Sequence, residues 1–151
     1  MTMSDDRSGA GSPPGPEIGN VVAVGIDVVD LDDVERTLSR FGERYLRRVY
    51  SDRERAFVDA RTLTARRQVR HLAACFAVKE ATVKVIGESG AAVDLRCIHV
   101  EPGADSEHLV ELSGIGARLA TTRGIGRLSG SVEVGLAHAI AVVFGGAVDP
   151  G

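Results

Sequence analysis

The period of the apolar positions changes several times along the chain. Val21 to Val29 is a β-branched run, VVAVGIDVV, which predicts a buried strand interrupted only by Gly25 and Asp27. After Asp30 the spacing turns helical: Leu31, Val34, Leu38 and Phe41 fall on one stripe, and Gly42 is a stop signal. Tyr45, Leu46, Val49 and Tyr50 continue an apolar stripe, and Ser51 with Glu54 three residues later reads as a capping box opening a short helix. The longest helical pattern covers 65–86, with Leu72, Phe76, Val83 and Ile86 near 3.6-residue spacing, alanines in the gaps and Gly87 where a C-cap belongs. Arg96–Glu101 and Leu109–Leu112 read as strands. Ser113–Thr122 reads as a helix weakened by Gly114 and Gly116, and Ser129–Phe144 ends as a strand, richest in AIAVVF. Strands at both ends with helices between them predict an α+β domain, a small antiparallel sheet packed against the long helix.

Length and composition narrow the class. At 151 residues and 44% hydrophobic content, the chain can bury one core without disulfides or a structural metal. Its two cysteines, Cys75 and Cys97, form no paired motif, which argues against a disulfide scaffold, a zinc ribbon or a CxxC redox site. No apolar run approaches the ~20 residues of a membrane span. Residues 1–20, rich in Ser, Gly and Pro, lack the order of a secretory signal and read as a disordered leader. One domain is expected over 21–146, with a tail over 147–151 and a cytoplasmic location.

Net charge is −3, which offers no bulk basic excess to grip nucleic acid. The average hides segregation. Residues 27–35 carry Asp27, Asp30, Asp32, Asp33 and Glu35 without a cation, whereas 36–70 carry eleven arginines against four acids. That asymmetry points to an acidic partner or a phosphorylated ligand, although a solvated helical face with Glu/Arg pairs reads the same way for any single arginine.

Two acids lie where acids are costly. Asp27 interrupts an apolar strand, and Glu80 sits on the apolar stripe of the long helix between Phe76 and Val83. Each needs a cation, a metal or a proton. Two carboxylates that meet in space suit Mg²⁺, which takes one or two protein carboxylates and leaves its other positions to water and phosphates. Lys84, one turn after Glu80, could hold a phosphate beside it. The plainer readings are an i,i+4 Glu–Lys pair and, for Asp27, an acid capping the helix that begins near Leu31.

Cys75 to Lys84, CFAVKEATVK, resembles the RFAxKEAxxK signature of the 4'-phosphopantetheinyl transferases, and more narrowly of the short holo-[acyl-carrier-protein] synthase type. GIDVVDL at Gly25–Leu31 is similar to that family's GxDxVEI strand, and RRVYSDRE at Arg47–Glu54 to its RRVLSxxE segment. Gly124–Val143 follows its last turn and strand, so the resemblance covers 21–145. It implies a 4'-phosphopantetheinyl transferase-like fold, Mg²⁺ on Asp27 and Glu80, and coenzyme A as co-substrate, held by Lys79, Lys84 and Ser131. The reaction implied is attack of a carrier-protein serine on the β-phosphate of coenzyme A with 3',5'-ADP leaving, in which Glu80 and Lys84 are catalytic. It also implies an acidic acyl-carrier protein docked on Arg36, Arg40, Arg44, Arg47 and Arg48, and a homotrimer with sites between subunits.

Three positions depart from the family pattern. Cys75 stands where the signature opens with Arg, and Pro102–His108 lacks the Gly-Lys-Pro turn. Of the Ser-x-Ser-His motif only Ser131 remains, with Val134 at the His position. A catalytically silent homologue that docks carrier protein, or an unrelated Mg²⁺-phosphate enzyme, stays open on these departures. His71 and Cys97 read as packing residues, His99 and His108 as surface, and His138 as a strand residue.

Overall fold

A computed structural model describes residues 20–60, 63–87, 93–103 and 105–148. The leader read over 1–20, apart from Asn20, and the end of the tail lie outside the described residues.

The chain runs β1 (Val21–Asp30), α1 (Leu31–Phe41), α2 (Glu43–Val49), α3 (Asp52–Asp59), α4 (Ala65–Val85), a 3₁₀ turn (Leu95–Cys97), β2 (Ile98–Pro102), β3 (Glu107–Leu112), α5 (Gly114–Thr122), β4 (Ile125–Val134) and β5 (His138–Ala147). The five strands form one antiparallel sheet in the order β1-β5-β4-β3-β2. The α+β expectation holds, with α4 across the inner face. The expected final strand resolves into two, β4 and β5, joined by a turn at Gly135–Ala137. β5 runs to Ala147, one residue into the expected tail.

Local chemistry sets the boundaries. Asp30, not Asp27, caps α1: its carboxylate accepts from the Asp32 amide at 2.8 Å. The Ser51/Glu54 capping box forms as read. The glycine-weakened helix forms as α5 because Gly116 lets it lie against Cys97, where a Cβ would meet the sulfur at 2.9 Å.

The core lies between α4 and the inner sheet face. Leu72, Ala73, Ala77, Val78, Ala81 and Val85 of α4 pack toward Val29, Val132, Ala139, Ala141 and Val143, all buried. Small residues on both sides bring the helix close. A Cβ on Gly25 would run into the Ala81 carbonyl, and one on Gly145 would meet Val85 at 2.9 Å.

The outer sheet face is apolar and uncovered in the single chain. Val24, Ile26 and Val28 of β1 are 51–55% exposed and pair across the sheet with Phe144, Val142 and Ile140. Among the described residues no helix is long and apolar enough to cross a membrane.

Candidate functional site

β1 alternates strictly: Val24, Ile26 and Val28 point outward, so Gly25, Asp27 and Val29 point toward α4. The close contact at Gly25 draws α4 onto this strand. Ala81 lies over Gly25, which leaves Glu80 and Lys84 beside Asp27. Lys84 Nζ stands 2.8 Å from Asp27 Oδ1 and donates to the Ile26 carbonyl at 2.6 Å. Glu80 is half-buried, and no hydrogen bond to a described residue holds its carboxylate. Burial first, and then the Asp27 charge, push its pKa above the ordinary carboxylate value, with Lys84 opposing.

Asp27, Glu80 and Lys84, separated by up to 57 positions in sequence, are therefore one cluster at the sheet edge. The i,i+4 Glu80–Lys84 pair does not form as an ion pair; Lys84 turns to the strand instead. Two carboxylates on different elements, one of them unbonded and half-buried, are a donor set that fits Mg²⁺: hard oxygen ligands, few in number, with room for water and phosphate. Among the described residues no three potential ligands gather, so these two would be the protein's share of any such site.

Lys79 is the clear correction. Read as a coenzyme contact, it is fully buried on the other side of α4. Its ammonium pairs with Glu54 Oε2 at 2.9 Å and donates to the carbonyls of Leu95, at 2.8 Å, and Ile98. No proton is left for a ligand. Ser131 also stands apart: it is exposed, opposite Val142 on the outer face, two strands from β1 and across the sheet from Glu80.

The arginines divide. Arg36 pairs with Asp33 and Arg47 with Glu43 (2.9 Å), while Arg53 forks onto Glu111, Arg55 onto Glu43 and Asp52, and Arg70 onto the carbonyls of Val134 and Gly135. Arg61 lies outside the described residues. Arg40 and Arg44 instead flank the ring of Phe41, at 5.0 and 5.7 Å from its centroid, and Arg48 is exposed nearby in sequence. Phe41, 41% exposed at the α1–α2 corner, reads in sequence as a helix position; the signal for its further role is an aromatic between two arginines at a glycine stop.

Of the departures, Cys75 is packed in the core with its thiol pushed up to about 12 by burial and by the Glu54 charge. It can neither replace a guanidinium nor act as a nucleophile. His99 and His108, read as surface, are half-buried; desolvation lowers the His108 pKa. His71 stacks on Phe57 at 4.7 Å between centroids, and Cys97 is half-buried, both as packing residues. His138 opens β5 with its Nε2 3.8 Å from Asp30.

The model of the 4'-phosphopantetheinyl transferase superfamily matches residues 23–141. Holo-[acyl-carrier-protein] synthase of Desulfovibrio desulfuricans is 37% identical over 125 residues, covering 82% of this chain and 95% of the relative. The crystal structure of holo-[acyl-carrier-protein] synthase from Neisseria meningitidis is similar at a TM-score of 0.71 and 25% identity, covering 83% of this chain and 98% of that one. The Helicobacter pylori holo-[acyl-carrier-protein] synthase, solved in complex with coenzyme A, is similar at 0.65 and 26% identity, covering 81% and 98%.

Proposed function

Because the chain belongs to the 4'-phosphopantetheinyl transferase superfamily, as a transferase of the holo-[acyl-carrier-protein] synthase type, we propose that it transfers the 4'-phosphopantetheine arm of coenzyme A to a serine of an apo acyl-carrier protein. The transfer is Mg²⁺-dependent and releases 3',5'-ADP. The observation that carries this reading is the cluster of Asp27, Glu80 and Lys84, assembled from β1 and α4 by the contact at Gly25.

Asp27 and Glu80 would hold Mg²⁺, which supplies charge neutralisation on the pyrophosphate when bound. The chain's own residues do the rest. Lys84 lies on the same edge with a half-exposed ammonium that can leave Asp27 for a phosphate oxygen. Glu80 is the group that would accept the serine proton. Phosphoryl-type transfer asks for positioning and charge more than covalent help, and this cluster supplies both.

α1 follows β1 directly, four residues after Asp27, and carries Arg36 and Arg40. Arg40 and Arg44 around Phe41, with Arg36, Arg47 and Arg48, suit an acidic carrier protein that also offers an apolar side chain. The exposed apolar Val24–Ile26–Val28 face, with Ile140, favours self-association, and a homotrimer is the assembly the reading takes. In it Ser131, on that same outer face, would turn toward a neighbouring subunit's coenzyme A. The location read for the chain is the cytoplasm, where its two free cysteines stay reduced.

The test is direct. Incubation with an apo carrier protein, coenzyme A and Mg²⁺ should add the mass of one phosphopantetheine arm to the carrier. No gain across several carriers would sink the reading. The departures at Cys75, 102–108 and Val134 favour a second reading, a silent docking homologue. Calorimetry separates the two, because a pure docking module binds carrier protein but not coenzyme A.

A further inference from the structure

Lys79 and Glu54 form a buried ion pair that the proposed chemistry does not use. Both residues are at most 4% exposed. Glu54 Oε2 takes the Lys79 ammonium and the Ser51 amide (2.8 Å), while Oε1 takes the amide of Val100 (2.8 Å). The ammonium's other two protons go to the carbonyls of Leu95 and Ile98. One pair thus ties together the start of α3, the 3₁₀ turn, β2 and the middle of α4.

The pair holds four backbone groups, the amides of Ser51 and Val100 and the carbonyls of Leu95 and Ile98, so its loss costs stability. It also supplies direction. The contacts of Ala81 over Gly25 and of Val85 over Gly145 set how closely α4 approaches the sheet, and Ala77, Ala139 and Ala141 add no polar anchor there. The ammonium's three bonds are satisfied together at a single height and rotation of the helix. The next residue is Glu80, about 100° round the helix, and no described residue hydrogen-bonds its carboxylate. Where that carboxylate points is decided by α4, and α4 is held from behind.

We infer that the Lys79–Glu54 pair is the positioning element of the site, locking α4 in the rotation that presents Glu80 to Asp27. Lys79 is a positioning residue and not a coenzyme contact. This rests on the reading of Asp27 and Glu80 as the site carboxylates.

The test compares the full-length chain with the double variant Lys79→Met/Glu54→Leu and with Val58→Ala, a core truncation in α3 that leaves the pair intact. Three quantities are read: thermal unfolding, Mn²⁺ affinity by loss of the free-ion electron paramagnetic resonance signal, and kcat with KM for an apo carrier protein. The double variant should melt below the parent, because the amides of Ser51 and Val100 and the carbonyls of Leu95 and Ile98 lose their side-chain partners, so affinity and kinetics are measured where each variant is folded. Its Mn²⁺ affinity should fall at least about tenfold and kcat about 10–100-fold, the scale of a roughly 1 Å misplacement, with the carrier KM within about twofold. Val58→Ala, although less stable, should keep both. If the double variant does not fold, Glu54→Gln, which keeps the shape but not the charge, is read by the same criteria. A folded pair variant with parental Mn²⁺ affinity and kcat overturns the assignment, as do losses that Val58→Ala reproduces. A parent chain that neither binds Mn²⁺ nor modifies any carrier overturns the functional reading instead, and the assignment with it.

Discussion

The Lys84 ammonium reaches from α4 to β1 and rests 2.8 Å from the Asp27 carboxylate, one helical turn beyond Glu80. The cation, the strand acid and the helix acid are thus held in one place by two elements that meet over a glycine. Lys84 is 52% exposed, so this contact is a contingent one that a phosphate could displace, whereas Asp27 at 19% is fixed.

Glu80→Gln should separate chemistry from stability. With the ionised carboxylate gone, carrier modification should drop by at least about 100-fold, read by mass spectrometry of the carrier. The fold should not suffer. Glu80's native pKa lies above its unfolded value, so the proton favours the folded state, and that contribution is lost as pH rises through the native pKa. At pH 7 the Gln variant should therefore melt no lower than the parent, and any advantage should vanish at pH values below the ordinary carboxylate range. A Gln variant that melts well below the parent at pH 7 would assign Glu80 to structure.

The same shift sets the acid limb of metal loading. Metal-free Glu80 must lose its proton to take a cation, so apparent Mn²⁺ affinity should begin to fall at a pH above the ordinary carboxylate value as the medium is acidified. An affinity flat down to the range of a free glutamate would remove Glu80 as a ligand.

Gly25→Ala tests the helix–strand contact. The added methyl collides with the Ala81 backbone carbonyl, which cannot rotate away. Overpacking of this kind costs about 1–3 kcal/mol, and α4 must also lift from β1. Denaturant unfolding should show the loss, and activity measured under conditions where the variant is folded should fall further than stability explains.

Charge reversal at Arg40 and Arg44 should raise KM for an acidic carrier about tenfold or more while leaving the coenzyme A KM within about twofold. The parent's carrier KM should rise with ionic strength, and the reversed variant's should not. Phe41→Ala should raise the carrier KM without changing the salt response.

On the outer face, Ile26→Asp should convert any oligomer to monomer in sedimentation, with the α4 core untouched because Ile26 points away from it. An unchanged oligomer would place the subunit contact elsewhere.

Much of this was legible in the chain. The β-branched run at 21–29, the capping box at Ser51–Glu54 and the alanine-rich pattern over 65–86 each carry their own local physics and formed close to where they were expected, although the run, expected to be a buried strand, leaves Val24, Ile26 and Val28 exposed on its outer face. The juxtaposition of Asp27 with Glu80 and Lys84 needed the motif resemblance, because nothing local reveals which strand a helix will cover. Lys79 misled for a related reason. A lysine inside a functional motif resembles a ligand until its partner is known, and Glu54 lies 25 positions upstream, visible only as a helix cap. Arg70 shows the same limit: it read as one more cation in a basic stretch, yet it clamps the carbonyls of the β4–β5 turn. Long-range pairing decides such roles.

The sheet order has a consequence for synthesis. β1, the strand that carries Asp27, pairs with one strand alone, β5, more than a hundred residues downstream. As the chain emerges from the ribosome, VVAVGIDVVD has no hydrogen-bonding partner until nearly everything else has been made. Through that interval it is an unpaired valine-rich segment, the kind that recruits foreign strands or a chaperone. The acids at Asp27 and Asp30 are then its only gatekeepers. The residue read as a metal ligand in the finished protein would serve, before the fold closes, to keep the nascent strand from aggregating.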